Sequence, residues 1–152
     1  MSEVWHWKKF EDLSRNELHQ ILRARQKVFI VEQDCIYEDA DDLDESAWHL
    51  FNWKKGDNGH LVIGAYLRVL PPGMIYAEVT FGRVLVAVEY RGIRLGEALV
   101  AKGIKCIEDE FLTQTIRISA QEYLEKFYED FGFQRCNAPY DEDGILHLEM
   151  FR

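Results

Sequence analysis

The chain has 152 residues, 47% of them hydrophobic, so we expect residues 1–152 to form one domain with a substantial core. Its net charge of −9 disfavours nucleic acid and anionic lipid as partners and tolerates a cationic substrate. The N-terminus lacks the apolar core of a signal peptide, and no apolar run approaches the roughly 20 residues that span a membrane, which together predict a cytoplasmic protein. The three cysteines, Cys35, Cys106 and Cys136, are widely separated and predict reduced thiols rather than disulfides or a zinc site.

The N-terminal quarter predicts one amphipathic helix. Ser14 and Glu17 stand at the spacing of a capping box, which marks a helix start. The helical stripe that follows contains Leu18, Ile21, Leu22, Arg25, Val28 and Phe29. The acidic segment 30–46 has no long period, so we expect a short helix and a loop there.

Three strand-like segments come next, at 47–53, 61–70 and 76–88, joined by short connections that predict an antiparallel meander. Helical spacing then begins after Gly96. It is followed by a strand at 115–120, a helix over 121–131, and two closing strands on either side of the turn YDEDG. This order predicts an α+β domain with a mostly antiparallel sheet and one βαβ crossover in the middle.

The segment VEYRGIRLGEALVAKG (88–103) lies where the third strand gives way to a helix. The free N–H groups and the dipole of a helix start favour an anion there, and two arginines and two glycines would assist. Neither the P-loop pattern nor the dinucleotide pattern GxGxxG is present. These residues alone are equally compatible with a tight turn that carries surface arginines.

A second segment, SAQEYLEKFYEDFGF (119–133), places Gln121 near a predicted helix start and Tyr128 in the apolar stripe of that helix. Taken alone, Tyr128 is interpreted as a core residue, because such stripes usually face the core.

Together these segments resemble the GNAT superfamily of acetyl-CoA-dependent N-acetyltransferases. The family loop [QR]-x-x-G-x-[GA] is matched by residues 91–96, except that Arg94 replaces the central glycine, and FYEDFGF resembles the later family motif FYExxGF. The segments RARQKVFIVEQDCIY, YLRVL, GRVLV and YDEDGILHLEM are similar to those of ElaA-type members, in the same order, from Arg23 to Met150. Leu146 stands where that branch usually has proline.

The resemblance implies the GNAT fold, a mixed and mostly antiparallel sheet that splays near its middle and is flanked by helices. Acetyl-CoA would be the donor substrate, and no metal is implied. Backbone groups of Val84, Leu85 and Val86 would pair with the pantetheine arm, and Gln121 would contact the cofactor. The pyrophosphate would lie on the loop and helix start formed by Arg91, Gly92, Ile93, Arg94, Leu95, Gly96 and Glu97.

The implied reaction is attack of a primary amine on the acetyl thioester. An aliphatic ammonium has a pKa of about 10.4, so a general base is expected to remove a proton first. The resemblance assigns protonation of the leaving thiolate to Tyr128. Glu78 and Glu32 are the candidate bases, and each is also compatible with an ordinary surface carboxylate.

Four further residues are candidates for substrate binding. Arg68 and Arg83 interrupt apolar strands, so each either forms an ion pair with Glu32, Glu78 or an aspartate of the acidic loop (39–44), or anchors a substrate carboxylate. His49 and His147 lie on predicted strands and are either held structurally or used in proton transfer. The acidic loop is either a solvated surface or an attraction for a cationic acceptor, and it lacks the spacing of a calcium loop.

Three functions stay open at this point. The first is an active N-acetyltransferase whose acceptor is a small-molecule or peptide amine. The second is a GNAT module that binds acyl-CoA without turnover. The third, suggested only by RARQKVF, is an acyl-homoserine-lactone-synthase-like enzyme that prefers long acyl chains. A homodimer is also left open.

Overall fold

The computed structural model describes residues 3–152. Within residues 3–152, the three α-helices are α1 (Arg15–Arg25), α2 (Leu95–Phe111) and α3 (Glu125–Glu129). The same range contains eight strands: β1 (His6–Lys9), β2 (Trp48–Lys55), β3 (Leu61–Leu70), β4 (Thr80–Val86), β5 (Arg117–Gln121), β6 (Gln134–Arg135), β7 (Tyr140–Glu142) and β8 (Ile145–Phe151). No helix within the described residues is long and apolar enough to cross a membrane.

The strands form two antiparallel sheets that touch at one place. The first sheet has the order β1-β2-β3-β4, and the second has the order β5-β8-β6 with β7 also paired to β8. A parallel bridge between Val79 and Ile116 joins the start of β4 to the start of β5, and the Arg117 N–H donates to the Val79 carbonyl at 3.0 Å. Helix α2 connects these two strands, so the predicted βαβ crossover is confirmed, as is the α+β class.

Apolar side chains cover both faces of the first sheet. On one face, helix α2 packs Leu99 and Ile107 against β3 and the second sheet. A methyl group on Gly103 of this helix would lie only 2.8 Å from Leu67 Cδ2, so the glycine lets α2 approach β3 closely. On the other face, Ile21 and Phe29 pack against Phe51 and Tyr66.

The predicted capping box at the start of α1 is present. The Glu17 N–H donates to the Ser14 hydroxyl at 3.0 Å, and the Ser14 N–H donates to the Glu17 carboxylate at 2.8 Å. Helix α1 does not end in a loop, because it runs on as a π-helix through Gln26–Glu32. This continuation carries the apolar stripe to Val28 and Phe29, which are buried as predicted.

Several boundaries differ from the sequence prediction. Strand β1 was not predicted, because HWKK has no alternation of apolar and polar residues and lies at the edge of its sheet. The predicted helix over 121–131 is a 3₁₀ turn at Glu122–Leu124 followed by the short α3; Gln121 ends strand β5 and lies directly before this turn, so its predicted place near a helix start is confirmed. The segment YDEDG supplies β7 as well as a turn, because it pairs with β8 as a hairpin.

Candidate active site

A cavity of about 340 Å³ lies where β4 and β5 diverge beyond their bridge. Residues 80–84 of β4 form one wall, and residues of β5 form the opposite wall. The loop after the π-helix and the β7–β8 hairpin complete the lining, together with the side chain of Tyr128. The splayed sheet therefore provides a gap between two parallel neighbours that is open to a ligand.

Tyr128 is 4% exposed and packs against Phe81, Phe127 and Phe133. No hydrogen bond to its hydroxyl is found among residues 3–152, although the side chain lines the cavity. Burial raises the pKa of this hydroxyl above its ordinary value, and the nearby Tyr123 raises it further. Tyr128 therefore presents a protonated O–H that is available to a ligand in the gap.

Strand β4 is the edge of the first sheet, so no strand of residues 3–152 pairs with its second edge at Val84–Val86. Val84 lines the cavity, whereas Leu85 is buried on the α1 side. The register between β3 and β4 shifts next to Arg83, whose φ of +51° places it in the left-handed region. This bulge bends β4 away from a regular ladder just before the predicted pantetheine segment.

The N-terminus of α2 has no side-chain cap among the described residues. Gly92 has a φ of +84°, and Arg94, at the N-cap position, has a φ of +63°. Ile93 is exposed in this loop, and Leu95 is buried beneath it. The first N–H groups of a 17-residue helix are thus free to bind an anion, which is a favourable position for one.

The charged side chains at this helix start differ in how they are held. Arg91 donates from Nε to the Val86 carbonyl at 2.9 Å and pairs with Glu32 at 2.6 Å. Arg94 and Glu97 are largely exposed and lie 3.8 Å apart. A methyl group on Gly96 would meet only Val86 Cγ2, at the ordinary contact distance of 3.6 Å.

Arg68 and Arg83 form ion pairs with the acidic loop. Arg68 contacts Asp41 at 2.6 Å and Asp44 at 2.8 Å, and Arg83 contacts Asp39 at 2.8 Å. Of the two interpretations of these arginines, the structure shows the ion pair, and the partner is the acidic loop rather than Glu32 or Glu78. Both guanidinium groups also line the cavity, and the aspartates match their charges there.

The centre of this ionic network is Arg25, which was predicted only as part of the α1 stripe. It is fully buried, contacts Asp39 at 2.8 Å and Asp44 at 2.7 Å, and faces the Tyr66 ring at 5.8 Å. Burial by itself would raise the pKa of Asp44, but hydrogen bonds from Arg25 and Arg68 lower it below its ordinary value. An arginine inside an apolar helical stripe was the available signal, since it requires a buried partner.

His49 is fully buried beside this network and does not line the cavity. Its Nδ1 lies 2.7 Å from the Tyr66 hydroxyl, and its Nε2 lies 3.0 Å from the Asp44 carbonyl. Burial lowers the pKa of its imidazole. Of the two interpretations of His49, its position supports the structural one.

His147, in contrast, lines the cavity. Its Nδ1 lies 2.8 Å from the Ile145 carbonyl, and its Nε2 lies 3.3 Å from a Glu142 carboxylate oxygen. Tyr140 stacks on its ring with the centroids 6.1 Å apart and shares a hydrogen bond with Ser119. Gln121 lies opposite His147 in the β5–β8 register and also lines the cavity.

The two carboxylates predicted as bases lie elsewhere. Glu78 precedes β4 instead of lying on it, and it pairs with Arg117 at 2.9 Å; that hydrogen bond lowers its pKa. Glu32 ends the π-helix and pairs with Arg91. Neither side chain is among those that line the gap between β4 and β5.

Several residues of the cavity wall were not predicted. They come from four separate stretches of the chain and are mostly aromatic or polar: Tyr37, Tyr76, Ser119, Tyr123, Tyr140 and Glu142. The turn segment YDEDG carried the strongest available signal, because it was part of the family resemblance. No spacing rule indicates that the other stretches meet at one cavity.

The family model for the acetyltransferase (GNAT) domain matches residues 43–151. The chain therefore belongs to the GNAT family, a class of acyl-CoA-dependent acyltransferases. It is 42% identical to a UPF0039 protein of Synechocystis sp. over 146 residues, covering 96% of this chain and 92% of that protein.

Two further relatives define the branch. The chain is 35% identical to Protein ElaA of Escherichia coli over 150 residues, covering 97% and 95% of the two chains. An acyl-CoA N-acyltransferase from Pseudomonas aeruginosa has a structure that matches with a TM-score of 0.91 and 35% identity over 99% of both chains. The crystal structure of ElaA matches with a TM-score of 0.89 and 31% identity over 99% of both chains. The ElaA-type resemblance is thereby confirmed.

Proposed function

We propose that this protein transfers an acetyl group from acetyl-CoA to a primary amine by direct attack on the thioester. The observation that carries the proposal is the gap between β4 and β5, which has an unpartnered tyrosine hydroxyl within it, together with the uncapped helix start that follows β4 and approaches Val86. The proposal treats residues 1–152 as one acyltransferase domain.

The donor is proposed to lie along β4. No strand of residues 3–152 pairs with the outer edge of β4 at Val84–Val86, which suits an extended arm, and the Val86 carbonyl accepts from Arg91 Nε. The pyrophosphate is assigned to the N–H groups of residues 92–97, where two left-handed residues turn the chain into α2. Gln121 supplies an amide on the opposite wall.

The chemistry needs a donor for the thiolate that leaves. Because burial raises the pKa of Tyr128, its hydroxyl stays protonated at neutral pH and can supply that proton. Backbone N–H groups on the free edge of β4 are the natural stabilisers of the oxyanion that forms on the thioester carbonyl.

The charge of the cavity favours a cationic acceptor over an anionic one. The guanidinium groups of Arg68 and Arg83 are matched by aspartates of the acidic loop. Glu142 and Asp143 line the same cavity and leave it negative. An ammonium group is therefore attracted to the cavity, whereas a carboxylate has no unpaired arginine there to bind.

The test is a thiol-release screen in which acetyl-CoA and longer acyl-CoA donors are combined with alkyl amines, polyamines, amino acids and peptides. We expect release with acetyl-CoA and at least one amine. Binding of acyl-CoA without release across the whole panel would contradict transfer and favour the silent module. A preference for long acyl chains would favour the synthase-like function.

Tyr128→Phe tests the proposed acid. It should lower kcat by about 10²-fold or more while acyl-CoA affinity stays within about twofold. The hydroxyl has no protein partner among the described residues, so the melting temperature should not fall. Full activity in this variant would remove Tyr128 from the proton transfer.

A further inference from the structure

The amine must lose a proton before it attacks, and the geometry points to His147, supported by Glu142, as the group that takes it. We propose this role for His147; it rests on the acyl transfer proposed above and identifies the general base of that reaction. The two carboxylates expected from the sequence are both engaged by arginines outside the cavity lining.

The β7–β8 hairpin fixes the tautomer of His147. A carbonyl oxygen can only accept, so the 2.8 Å contact with the Ile145 carbonyl places the hydrogen on Nδ1. The neutral imidazole then has its lone pair on Nε2, and the exposed Glu142 carboxylate 3.3 Å away accepts a hydrogen bond from Nε2 only after that nitrogen has taken up a proton. Since the side chain is 13% exposed, it is shielded from bulk water while still lining the cavity.

The groups packed around the ring suit a proton acceptor. The Glu142 carboxylate, 3.3 Å from Nε2, stabilises the imidazolium that forms when the proton arrives. Tyr140 lies against the ring, and its hydroxyl is bound to Ser119, which fixes the position of the ring. On the facing strand β5, the register partner of His147 is the uncharged Gln121.

The proton balance of the step is complete. Nε2 of His147 takes one proton from the ammonium, and the electron pair left on nitrogen attacks the thioester carbonyl carbon. The C–S bond then breaks and the thiolate takes a proton from Tyr128. The nitrogen, now an amide, gives its second proton to restore the Tyr128 hydroxyl. His147 releases its proton to solvent, so one proton is lost for each acetyl group transferred.

The experiment measures kcat/KM against pH for the full chain, with acetyl-CoA and an amine found in the thiol-release screen. We expect His147→Gln to lower kcat/KM by about 10²- to 10⁴-fold and to abolish the acidic limb of the profile, with acetyl-CoA affinity unchanged. Glu142→Gln should lower kcat/KM by a smaller factor than His147→Gln, because the imidazolium loses its anionic partner. The matched control is His60→Gln, an exposed histidine before β3, which should leave the profile unchanged.

A second variant separates chemistry from folding. His147→Ala should regain part of its activity when imidazole is added, which a purely structural histidine would not allow. An unchanged acidic limb in His147→Gln would overturn the assignment, as would loss of that limb in Glu78→Gln or Glu32→Gln instead. If the wild-type protein turns over no amine, the proposed function fails and this role fails with it. Turnover with an intact acidic limb in His147→Gln would overturn only the role of His147.

Discussion

Two arginine-rich regions of this molecule use the same residue type for opposite purposes. In the ionic network of the acidic loop, three guanidinium groups (Arg25, Arg68 and Arg83) meet three aspartates (Asp39, Asp41 and Asp44), largely out of water. At the start of α2, the side chain of Arg94 is 86% exposed, and the backbone N–H groups of the helix start lack a cap.

The difference shows which charges hold the fold and which are available to a ligand. A buried charge is tolerated only with a matched partner, so the network is complete and binds the acidic loop to β3 and β4. An exposed helix start can be left without a cap, because water or an anion satisfies its N–H groups. Substitutions in the two regions should therefore have separable effects, on stability in one and on ligand binding in the other.

The largest effect is expected from Arg25→Met. In this variant Asp39 and Asp44 lose Arg25, their fully buried partner, and keep only Arg83 and Arg68 as ion-pair partners. Removal of one member of a buried ionic group typically costs about 3–5 kcal/mol. Urea unfolding followed by circular dichroism should show that loss in the free energy of unfolding, while the folded fraction still binds acyl-CoA.

The matched control for Arg25→Met is Arg135→Met, which breaks an ion pair with Glu125 on the surface. We expect a much smaller change in the unfolding midpoint, because exposed pairs contribute little, even one with two hydrogen bonds such as this. Equal stability of the two variants would mean that the buried network does not hold the acidic loop.

A smaller and more selective effect is expected from two alanine substitutions in α2. At Gly103 the new methyl group would lie 2.8 Å from Leu67 in the packed core, so Gly103→Ala should lose on the order of 1 kcal/mol of stability after the gain in helix propensity. At Gly96 the methyl group meets only Val86, at 3.6 Å, and stability should not fall. The effects on acyl-CoA affinity should be the opposite: the affinity should fall about tenfold in Gly96→Ala and stay unchanged in Gly103→Ala.

Each variant is the control for the other, because both add one methyl group to the same helix. Isothermal titration with acetyl-CoA and thermal unfolding measure the two quantities on the same samples. Unchanged affinity in Gly96→Ala would show that the donor does not approach the helix start closely, and would weaken the proposed pyrophosphate site.

Much of the fold could be predicted from local patterns. The Ser14–Glu17 capping box, the meander β2-β3-β4 and the crossover through α2 follow from residues close together in the chain, whose spacing directly reflects helix or strand geometry. Strand β1 was not predicted, because an edge strand needs no apolar alternation. Its pairing with β2 is set by the rest of the sheet.

The candidate site was only partly predictable. Its loop and Tyr128 lie in segments with a recognisable order of residues, so their positions could be expected. The walls of the cavity bring together Tyr37, Ser119 and His147, which are far apart in the sequence and meet only through the pairing of β5 with β8 and the path of the acidic loop. Local sequence patterns also could not predict the partners of Arg25 and Arg68, because ion pairs between residues 14 to 27 positions apart leave no periodic signal.

The smallest effect is expected at Arg94, where the chain departs from the glycine of the family loop. Its φ of +63° costs an L-residue roughly 1–2 kcal/mol. Arg94→Gly removes that strain. The new glycine also loses more conformational freedom on folding, which destabilises the folded state by about 0.5–1 kcal/mol. The net change should be a stabilisation of at most about 1.5 kcal/mol, seen as a rise in melting temperature of no more than about 6 °C. Arg94→Lys, which keeps both the charge and the strained backbone, should leave the melting temperature unchanged.

If acetyl-CoA binds Arg94→Gly as tightly as the wild type, this position contributes its backbone N–H. An affinity loss as large as that of Gly96→Ala would instead mean that the guanidinium contacts the phosphates, and the helix start would then bind through side chains as well as through its N–H groups.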